Sequence, residues 1–194
     1  MKKFGSRELS TLLMLAVAAL SPVQAAEKPA QNEIKHTNAK HAAAAPNVQR
    51  LGGTGPWSAY IYKERSGRVC YMAAGPQKSE PAKFKRKLPA AMVTHRPEEG
   101  VSNVVSFDVG APLKDGSDVA LDVSGTHFDL FTKGDTAWSR TSDLDRTIVE
   151  AMAKGRQAVV KATPQKGPPT TDTYSLSGFM PTLALIDKAC GIKR

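Results

Sequence analysis

The sequence is poor in the residues and patterns that announce chemistry. It has two cysteines, Cys70 and Cys190, among 194 residues. With no C-x-x-C and no Cys/His group at zinc spacing, they exclude a thioredoxin-like redox motif and a structural zinc module. There is no G-x-S-x-G elbow, no H-E-x-x-H, no phosphate-cradling glycine loop and no calcium-loop spacing of acids, so the hydrolases, metalloproteases and nucleotide enzymes recognisable by those motifs are not indicated. Long apolar runs are missing too. "LLMLAVAAL", from Leu12 to Leu20, is far shorter than the roughly 20 residues that cross a bilayer.

That short run has a different use. Lys2, Lys3 and Arg7 precede it, Pro22 follows, and Val23 and Ala25 stand where a signal peptidase requires small residues, which makes residues 1–25 a secretory signal peptide. No cysteine follows the run to accept a lipid. Cleavage after Ala25 removes Lys2, Lys3, Arg7 and Glu8 and takes the formal net charge from +9 to +7. For an exported protein, a positive balance fits an anionic envelope surface better than nucleic acid; simple solubility accounts for it equally well. Export also makes Cys70 and Cys190, 120 positions apart, a disulfide candidate, with free thiols as the alternative.

Residues 26–55 are polar and alanine-rich with no repeating apolar face, and are expected to form a flexible leader ending at "GGTGP". His36 and His41 lie in it without a carboxylate or cysteine to complete a metal set. From residue 56 onward the pattern is all-β. Short β-branched and aromatic runs begin at Trp57, Arg68, Ala91, Asn103, Val119, His127, Thr136, Gln157 and Asp172, separated by Gly, Pro, Asp and Ser. Val105, Phe107 and Val109 alternate with Ser106 and Asp108, as one buried face requires.

Two segments read instead as short helices. Leu144, Ile148 and Met152 recur every fourth residue after a cap at Ser142 or Asp143, and Gly155 supplies the stop. Phe179, Leu183, Ile186 and Cys190 share one face of the second, where Pro181 is tolerated in the first turn. Cys190 therefore faces the core, where a bond to Cys70 on an early strand would anchor this helix.

For chemistry, the candidates are few. His95 and His127 sit in expected strands, and Glu98 and Glu99 are adjacent, so in a strand they would point apart rather than cooperate. Trp57, Trp138 and Tyr174 read as core. The most concentrated feature is "KFKRK", in which Lys83, Lys85, Arg86 and Lys87 surround Phe84. It is the candidate for contact with an anionic surface; a solvated sheet edge whose lysines discourage aggregation fits the same residues.

Trp57, "VCYMAAGPQKSE", "VTHRP", "SFDVG" with Pro112 after it, "DTAW", "VEAMAKG" and "TTDTYSLSGF" leading to "IDKAC" together resemble the invasion-associated locus B family of alphaproteobacterial envelope proteins. The resemblance implies an immunoglobulin-like β-sandwich over residues 56–194, exported to the periplasm or outer-membrane surface. Namesake members are associated with entry into host cells. It implies no cofactor and no catalytic residue. Many members carry a further cysteine soon after the opening tryptophan; Tyr60, Ile61 and Tyr62 stand there in this chain. The expectation is a non-enzymatic protein that binds an anionic envelope surface or an envelope or host protein. The alternatives are a hydrolase of an envelope polymer using His95 or His127, and a purely structural stabiliser.

Overall fold

The computed structural model describes residues 47–114 and 116–194. The expected signal peptide, the leader up to residue 46, and with it His36 and His41, lie outside the described residues. The strands are β1 (Gln49–Thr54), β2 (Trp57–Glu64), β3 (Gly67–Ala74), β4 (Lys78–Glu80), β5 (Ala90–Arg96), β6 (Val101–Asp108), β7 (Val119–Val123), β8 (Thr126–Lys133), β9 (Thr136–Trp138), β10 (Gln157–Ala162) and β11 (Thr170–Ser175). The helices are α1 (Ser142–Lys154) and α2 (Phe179–Cys190).

Among the described residues the strands form one antiparallel sheet in the order β1-β2-β3-β5-β6-β9-β8-β7-β10-β11-β4. The bend lies in β8. Thr126–Leu130 pair with β7, whereas Phe131–Lys133 pair with β9, so a single strand belongs to both halves. A strand that changes partner along its length is a common corner in two-layered β-structures. The halves close on each other: the Phe107 ring of β6 lies 5.8 Å from the Tyr174 ring of β11. Val105, Phe107, Leu121, Val160 and Tyr174 belong to the resulting core. The all-β pattern with two helices is as the sequence implied, and the sandwich is as the family resemblance implied.

All nine expected strands are present, and two more were not foreseen. β1 begins at Gln49, so the sheet starts before the leader boundary expected at residue 55. Its sequence, "QRLGGT", offers one apolar side chain and is recruited by pairing with β2. β4, "KSE", has no apolar residue and is held by three pairings to β11.

The cap of helix α1 lies one residue before the earlier of the two expected positions. Thr141, in extended conformation, accepts the Leu144 amide on its hydroxyl at 3.1 Å, and the Gly155 amide closes the helix onto the Ala151 carbonyl. Helix α2 follows Gly178, whose φ of 82° and close approach to the Thr54 carbonyl leave no room for a side chain. Phe179, Leu183, Ile186 and Cys190 are all buried, as their spacing implied. Burying each large apolar side chain contributes about 1.5–3 kcal/mol, enough to dock a helix of three turns. The Trp57 indole meets Phe179 edge-on at 5.0 Å and donates its N–H to the Ser175 carbonyl at 2.9 Å. Cys70 and Cys190 are bonded, with Cα atoms 6.0 Å apart, tying α2 to β3.

Candidate functional site

The basic loop predicted from sequence runs between β4 and β5, and its residues do not share one role. Arg86 is a core residue. Its side chain is 5% exposed, its Nη1 and Nη2 donate to the two oxygens of Asp172 at 2.8 and 2.5 Å, and Nη1 also donates to the Val109 carbonyl at 2.6 Å. Asp172, 1% exposed on β11, takes a third bond from the Ser79 hydroxyl at 2.7 Å. The expectation that Arg86 faces an external anion is therefore corrected: a buried carboxylate 86 positions away claims it. Phe84 is half-buried, and its ring lies against Gly167 so closely that a Cβ there would collide. The outward aromatic of the prediction is thus turned toward the neighbouring loop.

Lys83, Lys85 and Lys87 are exposed as expected, and Leu88 beside them is 91% exposed. Three more lysines join them, two from other loops and one from the end of β8. The Lys87 amide donates to Gly110, the Leu113 amide to Gly134, and the Lys114 amide to Thr163, while Phe84 rests on Gly167. These contacts stitch four loops into one end of the sandwich, which adds exposed Lys114, Lys133 and Lys166. Asp135 lies 3.7 Å from the Lys87 ammonium, and Glu80 is paired with Lys78. Sequence could not have grouped these lysines, because the segments that carry them are far apart in the chain.

The histidines have different settings. His95 is buried in β5 at a register shift opposite β6. Its Nδ1 accepts the Asn103 amide at 3.0 Å, which leaves the proton on Nε2 to be donated to Asp187 at 3.0 Å. Asp187 on α2 also accepts from Arg194 at 2.6 and 3.0 Å, and Arg194 reaches the Asn103 side-chain oxygen at 2.7 Å. Burial pushes the Asp187 carboxyl up, but the bonds from His95 and Arg194 and the Arg194 charge outweigh it and hold it below the usual carboxylate range. Both ring nitrogens of His95 are thus committed, Nδ1 to the backbone of the neighbouring strand β6 and Nε2 to Asp187 of α2. His127 is 83% exposed, with Nδ1 2.9 Å from Asp122. Among the described residues neither ring is hydrogen-bonded to a serine, threonine or cysteine that it could activate.

A second surface lies on the outside of the β2-β3-β5-β6-β9 half. Ala137 points inward, so Trp138, expected in the core, points out. It pairs across with Ser106 on one side and Phe131 on the other. Tyr62, Tyr71, Met92 and Trp138 line a groove of about 410 Å³, with Thr94, Ser106 and Arg96 supplying its polar atoms. The Tyr60 and Tyr71 rings stack at 5.0 Å, and Tyr62 meets Tyr71 edge-on at 5.9 Å. At one end the Arg96 guanidinium donates to Glu64 at 2.5 Å, and the Tyr62 hydroxyl donates to the other Glu64 oxygen at 2.8 Å. Those bonds hold the Glu64 carboxyl below its ordinary range. Among the described residues no helix is long and apolar enough to cross a membrane.

A family model described as Invasion associated locus B (IalB) protein matches residues 57–187. The fold is similar to the crystal structure of invasion associated protein B from Bartonella henselae, with a TM-score of 0.53 and 18% identity over 73% of this chain and 97% of that one. At that identity the likeness is one of fold. No curated protein matches.

Proposed function

The chain belongs to the invasion associated locus B family, and from that premise we propose that it is an exported, non-enzymatic envelope protein whose lysine-rich end holds it against an anionic envelope or host surface. The observation that carries this reading is that four interlocked loops and the end of β8 bring exposed Lys83, Lys85, Lys87, Lys114, Lys133 and Lys166 to one end of the sandwich, where Leu88 is exposed as well. Lysines held on a rigid end act together, and their field is felt within a Debye length of about 8 Å at physiological salt. Leu88 adds an apolar contact between them. Arg86 takes no direct part; its bond to Asp172 fixes the loop that presents the lysines.

The test is cosedimentation of the mature protein with phosphatidylglycerol-containing vesicles, with neutral phosphatidylcholine vesicles as control. Each lysine near an anionic membrane contributes about 1 kcal/mol, so replacing Lys83, Lys85 and Lys87 with Gln should weaken binding about a hundredfold at low salt. High salt should abolish binding of the parent. The melting temperature should not change, since the three ammonium groups are solvated. A triple variant that binds like the parent at low salt would show that the loop is only a soluble edge.

A further inference from the structure

The groove on the outer sheet face is remote in character from the lysine-rich end: aromatic where the other is cationic, and concave where the other is a set of loop tips. A sheet face turned to solvent is ordinarily polar. Here strand alternation sets Tyr60, Tyr62, Tyr71, Met92 and Trp138 outward on adjacent strands, in the rows Tyr60–Tyr71–Thr94 and Met92–Ser106–Trp138. The volume of about 410 Å³ lies at the small end of the roughly 300–1,000 Å³ range of pockets that take small organic ligands.

We propose that this groove binds a neutral glycan, with Tyr62, Tyr71 and Trp138 as stacking platforms and Thr94, Ser106, Arg96 and Glu64 as hydrogen-bonding partners. The choice of ligand follows from what the groove offers and lacks. Its rings present electron-rich faces, which attract the polarised C–H face of a sugar ring. Among these rings Thr94, Ser106 and Arg96 set polar side chains along the groove. A purely apolar occupant would cover those polar groups without pairing them; a polyhydroxylated one can pair with them.

Charge narrows the class further. Arg96, the cation of the lining, already has its Nη1 committed to Glu64, and Glu64 is committed on both oxygens, to Arg96 and to Tyr62. An anionic ligand would have to break that pair or approach its carboxylate. A sugar hydroxyl is donor and acceptor at once, so it can give to the carboxylate and receive from the remaining guanidinium N–H groups without disturbing the pair. Arg96 is flanked by Glu64 and, at 3.9 Å, by Glu99, so it has no charge to spare for an anion, and the rim favours a neutral ligand over an anionic one.

The experiment is amide-detected NMR of the mature chain titrated with lactose, cellobiose and N,N′-diacetylchitobiose, with sialyllactose as the anionic counterpart and calorimetry for affinities. At least one neutral disaccharide should give saturable shifts centred on Tyr62, Tyr71, Thr94, Ser106 and Trp138, and should bind more tightly than sialyllactose. Ser106→Ala and Trp138→Ala should each weaken it about tenfold or more with the fold intact by circular dichroism. The triple Lys→Gln variant of the basic loop should bind the sugar unchanged, so failure of the vesicle experiment leaves this result readable. No saturable shift at the solubility limit of any neutral sugar overturns the proposal. So does a groove filled by a synthetic peptide of residues 26–46 but by no sugar, which would assign it to the chain's own leader, whose neighbour Val48 lines one edge.

Discussion

Replacing Arg86 with Gln tests whether this cation is structural. The guanidinium makes two of the three hydrogen bonds to the Asp172 carboxylate and one to the Val109 carbonyl, and both members of the pair are almost wholly withdrawn from water. Gln cannot reach both carboxylate oxygens with a positive charge. The variant would keep a buried anion with Ser79 as its remaining partner and an orphaned carbonyl. Breaking a buried pair in this way costs about 3–5 kcal/mol. That is a large fraction of the roughly 5–15 kcal/mol by which a domain is stable. With about 2–4 °C of melting temperature per kcal/mol for a domain of this size, the shift should be about 6–20 °C downward.

Two companion variants separate the pair from its surroundings. Lys85→Gln, one residue away and exposed, should stay within about 0.5 kcal/mol of the parent. The double change Arg86→Met with Asp172→Leu removes both charges together and should recover most of the loss, because no uncompensated ion remains. Urea and thermal unfolding with the disulfide intact give all the values. If Arg86→Gln is as stable as Lys85→Gln, the guanidinium is solvated in solution and the reassignment of Arg86 from surface to core is refuted.

Other outcomes follow from the same geometry. Denatured but unreduced exported protein should contain no labelled thiol, and replacing Cys70 and Cys190 together with Ala should cost about 2–5 kcal/mol, as for native disulfides that close long loops; unchanged urea midpoints would mean that packing alone holds α2. Asp187 is held low by its partners when folded, so its stabilising contribution is complete above the unfolded value of about 3.9 and is lost as pH falls through the lower folded value. The stability gap between parent and Asp187→Asn should therefore be widest at neutral pH and close in strong acid; a gap independent of pH would contradict the ion pairing with Arg194. N-terminal sequencing of protein recovered from the envelope should begin at Ala26, and a stable uncut chain would remove the premise of export.

Local pattern was enough to place nine strands and two helices, because alternation and four-residue spacing report burial within a segment, and Gly, Asp and Ser mark the turns between segments. The disulfide was legible in part: helical spacing put Cys190 on the apolar face of α2, and export made Cys70, the other cysteine, its candidate partner. Strands β1 and β4 left no such trace, since "QRLGGT" and "KSE" are strands only through the partners that supply their hydrogen bonds. The functional surfaces depended on tertiary structure still more. Arg86 and its neighbouring lysines look alike in the chain, and only the buried Asp172 on β11 tells them apart. Trp138 faces out because a three-residue strand takes its parity from β6 and β8, which leaves the smaller Ala137 for the core. Lys114, Lys133 and Lys166 join Lys83, Lys85 and Lys87 only when four loops are drawn to one end of the sandwich. Sequence determined which residues must be buried, since that follows from periodicity; which residues meet one another, and so what each surface can bind, was decided by long-range pairing that no local pattern encodes.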